Sequence, residues 1–349
     1  MDLKNNLFRY ATSELSQDAF LCWLASYALE GAKPDSILQT CAKELLELFV
    51  PELKEKSFTL TNVERQVMHM DVLLTAATNK EIYKIVIEDK TYTGEHSGQL
   101  TRYLDQLRET YPDCIPRGVY YKTGFQSDLS AVENAGYQII SRAQMLEFLA
   151  SYVKKTNNQI LLDYYEFWND CQQASLQYQS LPLAQWRWQQ IYGFYDALQA
   201  SDFSSIRNAW MGYGYVANPA GGFYGLWAGG NDDCLTLCGV RCQLYLQVEA
   251  KWSDAVQRYE FPIALKLALK PDNGQSGTPK DIRDAVVYDE NWHYRLNAFH
   301  FKKPRRLSAG QHMTIGEYDA PPCENAEQLE NTLSDAFKDY QKLFKFLKK

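Results

Sequence analysis

The run Ile85-Val86-Ile87 is short, apolar and β-branched, which marks a buried strand, and it passes straight into Glu88-Asp89-Lys90. Side chains alternate along a strand, so Glu88 and Lys90 point to one face and Asp89 to the other. Upstream, Asp71 opens a second apolar run, Val72-Leu73-Leu74, and the turn residues Thr78-Asn79-Lys80 between the runs predict a hairpin. Two acids and a lysine converge there. Beyond the loop from Gly94 to Gly98, Gln99 and Tyr103 stand four residues apart in a helical segment and share one helix face.

The flanking sequence supplies an order of elements. Phe20, Trp23, Leu24, Tyr27 and Ala28 recur at helical spacing behind a capping Ser16, which predicts a first helix over 16–30. Pro34-Asp35-Ser36 opens a second, with Leu38, Cys41, Leu45, Leu48 and Phe49 on its buried side and Pro51 closing it. Residues 57–67 read as a strand in which Phe58 and Leu60 share a face and Val63 falls out of phase. A helix over 98–111 and a strand at Val119-Tyr120-Tyr121 follow.

Asp71, Glu88-x-Lys90 and Gln99-x-x-x-Tyr103, in this order and on these elements, resemble the PD-(D/E)XK nuclease superfamily. The segment Ala11-Thr12-Ser13-Glu14-Leu15-Ser16-Gln17-Asp18-Ala19-Phe20 is similar to the first helix of a bacterial branch of it. The resemblance spans roughly residues 6–125; no proline precedes Asp71, where His69-Met70 stand, a departure that many members share. It implies an α/β (α+β) chain with a restriction-endonuclease-like αβββαβ core and a mixed sheet. It also implies a metal-dependent nuclease, with DNA ahead of RNA as substrate. Hard carboxylate oxygens suit Mg²⁺ or Mn²⁺, so Asp71 and Glu88 are the expected metal ligands. Lys90 is expected to assist the attacking water and neutralise phosphate charge. By resemblance the backbone carbonyl of Asp89 adds a ligand and Glu14 helps through a water or a second metal. Gln99 and Tyr103 are the orienting pair behind them.

An isolated Glu-x-Lys is an ordinary surface ion pair, and the chain contains a control: Glu249-Ala250-Lys251 has the same spacing without a Gln-x-x-x-Tyr helix after it, and reads as structural. His96 lies in the loop before Gln99 and is a lesser candidate for substrate contact. Cys234, Cys238 and Cys242 lack the Cys-x-x-Cys knuckle of a zinc site and read as core. Lys302, Lys303, Arg305 and Arg306 form the dense basic cluster of the second half and are candidates for holding phosphate.

At 349 residues the chain is expected to form two domains, 1–150 and 151–349, with the boundary falling near 150 to 185. The second begins with helical stripes over 158–177 and from Pro182. It continues from Tyr213 as glycine-punctuated, alternating segments that predict an antiparallel meander, then a short strand at 299–301 and a helix over 326–348. No run approaches ~18 apolar residues and the start lacks a signal pattern, so a cytoplasmic protein with no membrane partner is expected. The net charge of −7 falls in residues 1–180, with 17 basic against 24 acidic side chains. Phosphate binding therefore has to come from local patches and bound metal. The rival to an enzyme is a catalytically silent nucleic-acid-binding or interaction protein that keeps the nuclease fold; intact Asp71, Glu88 and Lys90 weigh against it.

Overall fold

Two consecutive strands that are apolar on both faces organise the first half of the chain. The computed structural model describes residues 5–95, 98–201, 209–218, 221–230, 233–269, 278–305 and 308–348. In it β1 (Phe58–Val67), β2 (Met70–Thr78) and β3 (Ile82–Lys90) pair antiparallel. β4 (Cys114–Lys122) and β5 (Gln138–Ser141) add in parallel, giving a mixed five-stranded sheet in the order β1-β2-β3-β4-β5. Preceding the sheet are α1 (Glu14–Ala25) and α2 (Ser36–Phe49). Between β3 and β4 lies α3 (Gln99–Thr110), the crossover that a parallel pair requires, and α4 (Ser130–Asn134) leads into β5. α5 (Arg142–Val153) and α6 (Gln159–Leu176) follow.

Alternation divides the strand residues between two cores. Val72, Leu74, Ile85 and Ile87 pack with apolar residues of α1, α2, α5 and α6; Leu73, Val86 and Tyr120 pack with Leu100, Leu104 and Leu107 of α3. The β-branched run at 85–87 is therefore buried from both sides, at 0–1% exposure. Val63 is out of phase because the β1–β2 register shifts between Leu60 and Asn62, so Thr61 is the extra residue of a bulge. Phe58, Leu60 and Val63 consequently reach the same core.

Several expectations are corrected. The first helix starts at Glu14 with Ser13, not Ser16, as its N-cap residue, and gives way after Ala25 to a 3₁₀ turn over Ser26–Ala28, where the Ser26 hydroxyl donates to the Trp23 carbonyl at 2.7 Å. The compact units are residues 1–173 and 174–349, a division inside the expected span of 150 to 185. Leu161, Tyr164 and Trp168 of α6 explain this, since they belong to the core of the first unit. The helix expected from Pro182 is a 3₁₀ turn, Leu183–Gln185, followed by an α-helix over Trp188–Ala200, because Trp186 is extended.

The second unit contains an eight-stranded antiparallel sheet. Its strands are β6 (Ala209–Val216), β7 (Phe223–Gly230), β8 (Cys234–Leu237), β9 (Val240–Ser253), β10 (Arg258–Glu260), β11 (Ile263–Leu269), β12 (Phe301–Lys302) and β13 (His312–Tyr318). The main path runs β12-β13-β11-β9-β7-β6, with β8 and β10 on β9. The helix Ala326–Leu347 covers one face, and its Tyr340 hydroxyl donates to the Leu244 carbonyl at 2.9 Å. Glu249 is buried rather than exposed, bonded by Gln247 at 2.8 Å and paired with Lys251 and, at 3.6 Å, Lys266. No helix among the described residues is long and apolar enough to cross a membrane.

Deleting Thr61 should remove the bulge and leave Phe58, Leu60 and Val63 alternating onto the same core face, at a cost of about 1 kcal/mol or less. Urea unfolding of the deletion variant measures this, and a loss of several kcal/mol is incompatible with Thr61 as the extra residue.

Candidate active site

The C-terminal ends of β3 and β4, the start of β2 and the first turns of α1 and α3 meet at one end of the five-stranded sheet. Asp71 lies one position beyond the Val72–Ile87 pair and so beside Glu88, and Lys90 pairs in register with Lys122 of β4. Lys90 Nζ is 2.5 Å from Glu88 Oε1, 3.6 Å from Asp71 Oδ2 and 3.9 Å from Glu14 Oε2. Gln99 Nε2 donates to Glu88 Oε1 at 2.8 Å and lies 2.7 Å from the Tyr103 hydroxyl, which itself donates to the His69 carbonyl. Glu14 Oε1 accepts from the Thr91 amide at 2.9 Å and from the Thr93 hydroxyl at 3.2 Å. The six side chains singled out in the first unit thus come together.

Asp89 occupies the site differently from expectation. Its carbonyl accepts from Lys90 Nζ at 3.1 Å, while its carboxylate, on the opposite face of β3, is turned toward Asp18 of α1. Carboxylate oxygens of Asp18, Asp71 and Asp89 lie within 4.8 Å of one another. Gln66 Nε2 bridges two of them, donating to Asp18 Oδ2 at 2.9 Å and Asp71 Oδ1 at 3.3 Å.

Three carboxylates, Glu14, Asp71 and Glu88, therefore surround one ammonium group, and Asp18 and Asp89 gather beside Asp71; Asp18, Glu88 and Asp89 are each 0–1% exposed. Burial, then repulsion from Asp71, push the Glu88 carboxyl up to about 7 despite the bond from Lys90. Burial and the neighbouring Asp18 hold Asp89 far above the usual carboxylate range, and burial raises Asp71 as well. Burial opposes the charge on Lys90, but its hydrogen bond to Glu88 and the charges of Glu88, Asp71 and Glu14 outweigh this and secure its proton. The Lys90–Glu88 bond alone would pull Glu88 down; desolvation at a fully buried site is the stronger effect, and its direction is upward.

Asp18 Oδ1, Glu88 Oε2 and both oxygens of Asp89 are buried without a hydrogen-bond partner, as is Asp71 Oδ2 apart from its distant ion pair with Lys90. Unsatisfied buried carboxylate oxygens are costly unless a cation completes them. Hard oxygen donors on three or more acids fit Mg²⁺ or Mn²⁺. Among the described residues, Asp18, Asp71 and Asp89 bring carboxylate oxygens close enough together to hold such an ion, and Glu88, expected as a ligand, stands outside that group with one unpartnered oxygen.

Sequence reasoning missed four contributors. Asp18 stands four residues after Glu14, on the same helix face, and that spacing was the available signal. The Asp89 carboxylate was assigned only through its backbone. Gln66 had no signal, because its placement depends on the β1–β2 turn. Lys122, the last residue of β4, is buried and donates to the carbonyls of Thr91 at 3.2 Å and Thr93 at 2.5 Å; desolvation lowers it to about 8. His96 and Arg306 lie outside the described residues. In the second unit Lys302 pairs with Asp319 at 2.6 Å, and Lys303 and Arg305 are exposed. Comparison with protein-family models, with curated proteins and with solved structures gives no match in any of the three.

Glu88 is raised from 4.5 to about 7, so the stability tied to its protonated form is complete below pH 4.5 and lost as pH rises through about 7. Metal-free protein should lose on the order of 2–3 kcal/mol over that window. Glu88→Gln should remove the share of this slope that Glu88 carries and leave that of Asp71 and Asp89, which are raised as well, and Asp89→Asn should raise the metal-free melting temperature. Thermal melts from pH 4 to 8 in chelator check both.

Proposed function

We propose that the first unit is a divalent-metal-dependent nuclease of the PD-(D/E)XK type that hydrolyses phosphodiester bonds, with DNA as its substrate and Mg²⁺ or Mn²⁺ as cofactor. The observation that supports this reading is the surplus of buried, unpartnered carboxylate oxygen at the sheet end that carries Lys90, on Asp71 and Glu88 beside the ammonium group and on Asp18 and Asp89 beside Asp71. A core has no use for such a surplus, whereas phosphoryl chemistry does. A bound divalent cation supplies charge neutralisation at a phosphate oxygen and acidification of water.

The chain's own groups do the rest. Lys90, kept protonated by its acidic surroundings, offers a donor to a phosphate oxygen or to the attacking water and neutralises charge as it develops. Gln99 fixes Glu88 through Oε1, which leaves Oε2 for the site. Tyr103 anchors Gln99 on one side and the turn at His69 on the other, so that the helix α3 sets the position of Glu88 relative to Asp71. Asp71 and Glu88, with Asp18 and Asp89 next to them, provide the oxygen donors.

Purified protein incubated with linear, circular and single-stranded DNA, and with RNA, in Mg²⁺ or Mn²⁺ tests the reading, and cutting of circular DNA identifies an endonuclease. Asp71→Ala, Glu88→Ala and Lys90→Ala should each lower turnover by roughly a hundredfold or more while remaining folded. Unchanged turnover in Lys90→Ala refutes the assignment. Gln99→Ala and Tyr103→Phe should slow cleavage about tenfold with Mn²⁺ affinity retained in calorimetry; loss of metal binding in Gln99→Ala would make it a ligand instead.

A further inference from the structure

One face of the antiparallel sheet in the second unit encloses a cavity of about 450 Å³ lined by Trp210, Phe223, Trp227, Tyr245, Lys266 and His312 among others. Glycine makes room for its rings. Register sets Gly212 opposite Trp227 and Gly214 opposite Gly225. A Cβ at Gly212 would fall 2.4 Å from the Trp227 indole nitrogen, and Cβ atoms at Gly225 and Gly214 would fall 3.1 and 3.4 Å from its six-membered ring. Three absent side chains thus let one indole lie along the sheet rather than stand off it, and it stays half-buried, with surface open to the cavity. Gly229 likewise accommodates Trp210, whose ring centre is 5.9 Å from that of Tyr245.

The polar groups of the cavity sit beside these rings. Lys266 Nζ donates to Thr314 Oγ1 at 3.0 Å, and the Gln247 amide, which also lines the cavity, donates to Glu249 at 2.8 Å. Trp210 Nε1 is a buried donor with no partner. A flat aromatic surface flanked by an amide, an ammonium and an indole N–H suits a planar ring that carries carbonyl and amino groups on its edge. An alkyl ligand would leave the Trp210 indole N–H unpaired, and a cationic ligand would meet Lys266.

We propose that this cavity binds one unstacked nucleobase, stacked on Trp227 and read at its edge by Gln247 and Lys266. A base reaches such a pocket from a single strand or after leaving the duplex stack. The planar-ring site stands on the cavity alone; the choice of a nucleobase among planar rings rests on the nuclease reading of the first unit.

Calorimetry of the full chain in chelator, with the four deoxynucleoside monophosphates as probes and deoxyribose 5-phosphate as the base-free control, tests it. At least one nucleotide should bind and the control should not. Trp227→Leu should weaken binding roughly tenfold or more. Should that variant melt early, Trp227→Phe keeps a ring in place, and nucleotide-induced quenching of indole fluorescence should then drop relative to the parent. Binding of no nucleotide, equal binding of the control, or parental affinity and quenching in the Trp227 variants overturns the proposal. Asp71→Ala should keep nucleotide binding while losing cleavage, so the two readings fail separately.

Discussion

Repulsion among carboxylates at the end of β3 is the constraint around which the first unit is arranged. Left to itself the group of Glu14, Asp18, Asp71, Glu88 and Asp89 would drive its strands apart, since each ionised and buried acid carries a desolvation cost that a single Lys90 does not cancel. What holds the strands is the apolar middle of each. Ile85, Val86 and Ile87 are buried on two faces, as are Val72, Leu73 and Leu74 of the neighbouring strand, and fully burying one such side chain contributes roughly 1.5–3 kcal/mol. A few of these contacts offset several kilocalories of electrostatic opposition, so the sheet can present charges that a surface strand pair would splay.

The turn between β1 and β2 adds a second cost in the same place. Gln66, Met68 and His69 all have positive φ, at 55°, 53° and 66°, although none is glycine. Conformations of this kind cost on the order of 1–3 kcal/mol each and persist where surrounding contacts determine them. Here both ends of the turn are engaged. The Gln66 amide bridges Asp18 and Asp71, and the His69 carbonyl takes the Tyr103 hydroxyl. Backbone strain and carboxylate repulsion therefore coincide, and relaxing the turn would release the acids from one another.

How much of this was legible in the sequence depended on whether the signal was local. The buried strand at 85–87, the hairpin to Val72 and the facing of Gln99 and Tyr103 follow from alternation and helical spacing, and the structure places all of them so. Val63 was visible only as an anomaly, because a bulge changes phase without changing residue type. Asp18 was legible by its spacing from Glu14 but is coupled to Asp89 through the packing of α1 on the sheet, which periodicity does not report. Gln66 and Lys122 owe their places to a strained turn and to the register between parallel strands. The aromatic stripe of α6 likewise announces a helix, but not the core it will join.

The two Glu-x-Lys sites show what makes the motif chemically useful. At Glu249 the charge is met on its own terms, by Lys251 and Lys266 as cations and by Gln247 as a donor, so a buried acid ends with its valences filled. Burial lowers Lys266 in return, which is the ordinary exchange within a compensated network. At Glu88 the same spacing stands among additional acids, and one carboxylate oxygen is left over. The same Glu-x-Lys spacing thus differs by the sign of what surrounds it: a filled network stabilises a fold, whereas an unfilled one of negative charge leaves a buried carboxylate oxygen open to a cation.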